Sequence, residues 1–229
     1  MQNTSTKIIL SQEEVSNITK ALSQGRLSTY NSNSNTDPIF PIELYSWNAN
    51  ISGAFLVPLQ VCEVVLRNAV SEALCDAYGS NWPWSTNFEI SLPGGAGTSH
   101  FKPKDELIRA RNKTRQRKTG KVIPELPFKF WIHLLTSRYD QRLWEKLLFK
   151  CFPNLPMVYS VSGGRNFIHQ EIDKIRIFRN RIAHHEPIIK APHAAHMTTI
   201  ESVVRFRCNH TGKWLSQIEI VSNLIPLRP

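Results

Sequence analysis

Apolar residues along this chain recur at helical spacing, with little of the strict alternation that marks strands. Ser11-Gln-Glu-Glu14 has the form of a capping box, in which the serine hydroxyl takes a backbone N–H and Glu14 reaches back to the cap. Val15, Ile18 and Leu22 continue a helical face, and Gly25 supplies a stop. Residues 30–38, rich in Asn and Ser, read as a polar loop. Phe55, Leu59, Cys62, Leu66, Ala69 and Ala73 then form one apolar stripe along a long helical region, with Pro58 tolerated near its start or marking a break. Residues 81–103, with Trp82, Trp84 and Pro93-Gly94-Gly95, read as an irregular connection. Residues 128–135, 143–152, 165–184, 197–207 and 213–224 suit further helices, so the pattern predicts an all-α fold.

A length of 229 residues with 41% apolar and 20% charged side chains describes one globular domain, not a disordered or fibrous chain. It divides into an N-terminal helix and loop (1–38), first core helices (39–78), a connection with a basic segment (79–127), helices ending in the motif described below (128–187) and C-terminal helices (188–229). Twenty-eight Lys and Arg against eighteen Asp and Glu leave a net charge of +10, which favours a polyanionic partner, above all nucleic acid. Most of that excess lies in residues 102–121. There Lys102, Lys104, Arg109, Arg111, Lys113, Arg115, Arg117, Lys118 and Lys121 face only Asp105 and Glu106, a net of 9 − 2 = +7. Between Arg109 and Lys118 only Ala110, Asn112, Thr114 and Gln116 interrupt the basic residues and offer no apolar stripe, so a helix there is expected to be solvated or to lie on a polyanion such as RNA. Residues 51–66, the most apolar stretch, carry Glu63 and Pro58, the N-terminus lacks the pattern of a signal peptide, and Cys62, Cys75, Cys151 and Cys208 are scattered. These features point to a cytoplasmic protein with reduced thiols and no membrane partner.

The pattern richest in chemistry is Ile168, Ile172, Ile175, Arg179 and Ile182, an apolar seam with a permanent cation at one position. A guanidinium on such a seam needs an anionic group, which is either a carboxylate of another helix or the phosphate of a ligand. Asn180 and His184 are four apart and share a face, Arg176 lies one turn before Asn180, and His185 is about 100° further round. Glu63 and Arg67 form an i, i+4 pair, and they could orient Arg179 from a neighbouring helix. Neither a phosphate-binding glycine loop nor a nucleophile elbow is present, and His193, His196, Cys208 and His210 match no zinc spacing. No metal or cofactor is expected.

Arg179-Asn180-x-x-x-His184 resembles the Arg-x(4–6)-His motif of HEPN-domain ribonucleases. Leu44-Tyr45-Ser46-Trp47-Asn48, Ala54-Phe55 and Glu63-Val64-Val65-Leu66-Arg67-Asn68-Ala69 resemble the N-terminal half of the Abi-like proteins, the abortive-infection group of D/F type within that superfamily. The likeness spans residues 44–187 and leaves the basic segment out. It implies a HEPN-type helical bundle, with extra helices and a basic insertion here. It further implies a homodimer that brings two motifs together and metal-independent cleavage of RNA to a 2′,3′-cyclic phosphate, in a bacterial toxin or phage-defence effector. In that role Arg179, Asn180 and His184 would be catalytic, with Glu63, Arg67, Arg176 and His185 in support. An RNA or an acidic protein would act as antitoxin. The competing expectation is a non-catalytic module that captures a structured RNA on the same basic surface.

Overall fold

In the computed structural model, which describes residues 8–31, 36–94 and 101–229, every regular element is helical and no strand occurs among the described residues. Helix α1 (Gln12–Leu22) opens on the expected capping box: the Glu14 N–H donates to Ser11 Oγ at 3.2 Å and the Ser11 N–H to Glu14 Oε2 at 2.7 Å. The stop comes at Ser23, with φ of 70°, and not at Gly25, which lies inside the short α2 (Gln24–Leu27). A 3₁₀ turn, Ser28–Tyr30, begins the polar loop and buries Tyr30; residues 32–35 of that loop lie outside the described residues.

Helix α3 (Phe40–Tyr78) is the central post of the molecule and runs through Pro58 without a break. Proline cannot donate to the carbonyl one turn back, a loss that an isolated helix would resist. Here Pro58 is itself buried, and packing on several sides holds the helix together. Phe55, Leu59, Cys62, Leu66, Ala69 and Ala73 are all buried, as their spacing predicts. Length and a mean hydropathy of 1.6 over its best window would also let α3 cross a membrane on composition alone. In this fold its apolar faces meet helices from the second half of the chain.

The connection after α3 holds more structure than its glycines and prolines suggest. A 3₁₀ turn, Trp82–Trp84, leads into α4 (Thr86–Ser91). Trp82 is the reason: it is fully buried, meets Phe88 edge-on at 5.4 Å and Trp131 at 6.0 Å, and donates from Nε1 to Ser71 Oγ at 3.1 Å. Next come α5 (Pro103–Lys113), α6 (Thr119–Val122) and α7 (Phe128–His133), then a π-helical turn (Asp140–Trp144) that continues into α8 (Glu145–Cys151). Helix α9 (Val161–Ala183) is capped by Ser160, whose Oγ accepts the Gly163 N–H at 3.1 Å, and so begins before Arg165. Gly164 sits where a Cβ would come within 2.7 Å of Leu155 Cδ2, which fixes the close approach of this end to the core. The chain closes with α10 (His193–Arg207), α11 (Asn209–Ile218) and α12 (Val221–Leu224), which places three elements where the sequence suggested two.

Candidate functional site

The buried face of α9 corrects the expected seam. Ile168, Ile172, Ile175 and Ile182 are buried, yet the remaining place belongs to Phe178, only 2% exposed, and Arg179 is exposed. Phe178 stacks on His196 with centroids 3.9 Å apart and meets Phe55 of α3 edge-on at 4.7 Å. Covering that ring gains roughly 1.5–3 kcal/mol, whereas an unpaired guanidinium in the same place would cost several. The arginine that α9 does bury is Arg165, near its start. Its Nε and Nη2 reach Asp140 Oδ1 and Oδ2 at 2.8 and 3.2 Å, and its Nη1 donates to the Leu135 carbonyl at 3.3 Å.

Arg179 instead opens into a groove of about 440 Å³ between α9 and α3, lined with Ala183, Leu56, Leu59, Glu63 and Arg67 among others. The sequence pairing of Glu63 with Arg67 does not form: no ion pair joins them, and Glu63 bonds neither Arg67 nor Arg179. The three side chains share the groove without contact through charge-assisted bonds. The Nε of Arg67 is buried with no hydrogen-bond partner. Arg176, expected in support, is engaged by Asp173 one turn back at 2.7 Å.

Helix α9 ends at Ala183, just before the histidines. His184 is exposed and its backbone N–H donates to the Asn180 carbonyl at 2.9 Å; no hydrogen bond joins the Asn180 amide to the imidazole. His185 has left the helix, with φ of 55°, so its position is not the one helical geometry assigned it. Its N–H donates to the Ile182 carbonyl at 3.0 Å and the Glu186 N–H to the Arg181 carbonyl at 2.8 Å, a Schellman pair closing the helix. Left-handed backbone at a side-chain-bearing residue is costly and persists only where neighbours enforce it. They do. Arg26 of α2 donates to the His185 carbonyl, Arg181 pairs with Glu186 at 3.4 Å and donates to the Pro187 carbonyl, and the Ile188 N–H donates to the buried Asn48 Oδ1 at 2.8 Å.

Tyr45, Trp47 and Asn48, quoted above for a resemblance, are therefore the buttress of the motif's end. Trp47 packs edge-on against His193 at 5.3 Å and donates from Nε1 to the Leu224 carbonyl at 2.8 Å, while Tyr45 lies under Arg26 at 6.0 Å. Sequence reasoning gave Asn48 no role. The available signal was its place on the line Leu44, Asn48, Ile51, Phe55, where one polar residue interrupts a buried stripe.

The basic segment divides in two, and its first part packs on the core. Helix α5 buries Pro103, Leu107 and Ala110 against the core. Arg111, 17% exposed, donates to Glu89 Oε2 at 2.7 Å and to the Pro83 carbonyl at 3.2 Å; Lys104 also reaches Glu89, at 3.4 Å. Together they hold the Glu89 carboxyl below its ordinary range. Lys113 pairs with Glu125 at 3.0 Å and Arg109 with Glu106. Lys102, Arg115, Lys118 and Lys121 make no ion pair, and Arg117 lies over the half-exposed Trp84 ring at 5.4 Å. Lys102 apart, the cations free to meet phosphate follow α5, beside an indole.

Among the described residues no three His, Cys, Asp or Glu side chains converge as metal ligands. His193 and His196 serve packing, and burial pulls both imidazoles below their ordinary value, with neighbouring positive charge adding to the effect. Comparison of the chain with family models, characterised proteins and solved structures finds no match.

Proposed function

We propose that this chain is a metal-independent endoribonuclease of the HEPN kind, a bacterial toxin or abortive-infection effector in phage defence. One observation carries the reading: Arg179 is exposed and unpaired on a groove, five residues before an exposed His184, on a helix end that Arg26, Asn48 and Arg181 hold in place. That arrangement suits a 2′-hydroxyl attacking its own 3′-phosphate. His184 moves the proton, worth about 10²–10⁴ in rate, and the guanidinium takes up charge on the pentacoordinate phosphorus. Asn180 offers a neutral amide beside them. The products are a 2′,3′-cyclic phosphate and a 5′-hydroxyl.

The test is to incubate the protein with total RNA in excess EDTA and map new ends. Cyclic-phosphate ends that vanish with Arg179→Ala and His184→Ala support the enzyme. RNA bound tightly but left intact favours the second reading, a capture module. That alternative draws on Arg115, Lys118 and Lys121 near the Trp84–Arg117 stack, since cations interleaved with an aromatic face suit nucleic acid.

A homodimer belongs to the same proposal, but its interface cannot be the isoleucine seam, which is consumed inside the subunit. Leu56 and Val57, 55% and 42% exposed, offer apolar surface on α3, with Leu56 at the groove itself. A second copy seated there would set two Arg179–His184 pairs together. Sedimentation showing an active monomer at assay concentration defeats the dimer. An antitoxin, RNA or acidic protein, is expected because such an enzyme endangers its own cell.

A further inference from the structure

We propose that Arg67 and Arg179 together form a phosphodiester seat, one guanidinium from each wall of the groove between α3 and α9. The inference rests on the ribonuclease reading and extends it to a residue on a different helix. Three observations point to a ligand there. Both arginines line the groove and neither has an ion-pair partner. Arg67 Nε is shut away from water with no acceptor. A desolvated donor on a charged group is costlier to leave open than a neutral one, and such an exception calls for an acceptor from outside the fold. Glu63 lines the same groove and still pairs with neither.

The position explains why two cations are required. The C-terminal end of a helix carries roughly half a negative charge, so a phosphate approaching the end of α9 meets the unfavourable pole. The Glu63 carboxylate adds repulsion. A lone Arg179 would face both; Arg67, arriving from the middle of α3, tips the balance. A guanidinium also presents a planar fork matching two phosphate oxygens, which a lysine cannot reproduce. At about 440 Å³ the groove sits near the lower end of the ~300–1,000 Å³ range of ligand sites and accommodates one nucleotide unit. The ligand is thus a single strand of RNA threaded by its backbone.

The test uses the full chain and a short 2′-O-methyl oligoribonucleotide, which binds but cannot be cleaved. Affinity is read by fluorescence anisotropy across a salt series for wild type, Arg67→Ala, Arg67→Lys, Arg179→Ala, the double alanine variant and Glu63→Gln. The expected result is a loss of about tenfold or more for Arg67→Ala, only partly restored by Arg67→Lys. The slope of log K against log salt should fall by about 0.7, one phosphate contact. The double variant should lose less than the product of the single losses, because both arginines hold one group. Glu63→Gln should bind more tightly. Melting temperatures near wild type must accompany these values. An unchanged slope in Arg67→Ala, strictly multiplicative losses, or weaker binding by Glu63→Gln overturns the seat. Cleavage of unmodified RNA by wild type, run alongside, separates the claims. Binding without cleavage ends the enzyme reading and leaves the seat standing, whereas cleavage with an indifferent Arg67 does the reverse.

Discussion

Phe178 and Arg179 are neighbours in sequence with opposite surroundings, and substituting each by alanine separates packing from chemistry. Phe178 is 2% exposed, clasped between His196 at 3.9 Å and Phe55 at 4.7 Å, so Phe178→Ala leaves a phenyl-sized void where α3, α9 and α10 meet. Such truncations cost about 3–5 kcal/mol. For a chain of this length each kcal/mol shifts Tm by roughly 2–4 °C, so the variant should melt roughly 6–20 °C early. The Arg179 side chain makes no ion pair or hydrogen bond, and Arg179→Ala should stay within about 0.5 kcal/mol of wild type. Its cleavage rate should nonetheless fall on the order of 100-fold, the scale of losing one preorganised donor to a developing charge. Phe178→Ala, assayed below its melting range, should retain far more activity. Calorimetry and single-turnover cleavage on the same preparations decide the matter. If Arg179→Ala melts as early as Phe178→Ala, the guanidinium is structural; if it cleaves like wild type, the catalytic assignment is wrong.

Three further outcomes follow from the contacts described. Asn48→Leu removes the acceptor of the buried Ile188 N–H and should cost about 1–3 kcal/mol, with faster amide exchange at Ile188; unchanged protection there would show that Asn48 does not anchor the turn. Arg111→Ala should destabilise by a similar amount by stripping Glu89 and the Pro83 carbonyl of a donor, while Lys118→Ala should leave Tm alone and lower the salt dependence of RNA binding; equal behaviour of the two would erase the division of the basic segment. Burial holds His133, His169, His193 and His196 below the ordinary imidazole value of 6.5, so on acidification the unfolded chain takes protons first. Their stabilisation is complete above about pH 6.5 and declines as pH falls below it, by at most about 1.4 kcal/mol per pH unit for His193; a Tm that holds or rises between about pH 7 and 5.5 would contradict the sign.

What the sequence revealed of the fold was what short-range physics decides. The Ser11–Glu14 box needs only residues three apart, and it forms. The stripe from Phe55 to Ala73 is long enough that any core must cover it, so its burial was legible without knowing the partners. Helix α5 was misread for the complementary reason. Its cations are neutralised by Glu89 and Glu125, which lie outside the segment whose charge was counted, so the effective excess is 7 − 2 = +5. Ion pairs between elements leave no periodic trace. The docking of Trp82 on Ser71, Phe88 and Trp131, which folds the Gly- and Pro-rich connection, was hidden in the same way.

At the candidate site the residues were found but their environment was not. Positions 178 and 179 differ by about 100° on the helix, and a uniform helical step puts 179 within the isoleucine arc and 178 at its edge, so periodicity alone points to the wrong neighbour. Phe55 and His196 stand on the Phe178 side and settle it. The consequence reaches beyond a shifted seam. Had Arg179 been buried for structure, it would have claimed a carboxylate as Arg165 claims Asp140, and Glu63 was at hand in the same groove. Instead Arg67, Arg179 and Glu63 line one groove unpaired, one of them with a buried donor lacking an acceptor, while eleven ion pairs form elsewhere among the described residues. Unpaired cations such as Arg115, Lys118 and Lys121 stand exposed on open surface, whereas here two guanidiniums and a carboxylate are left open within one concavity that a ligand would complete, and such departures collect at functional sites.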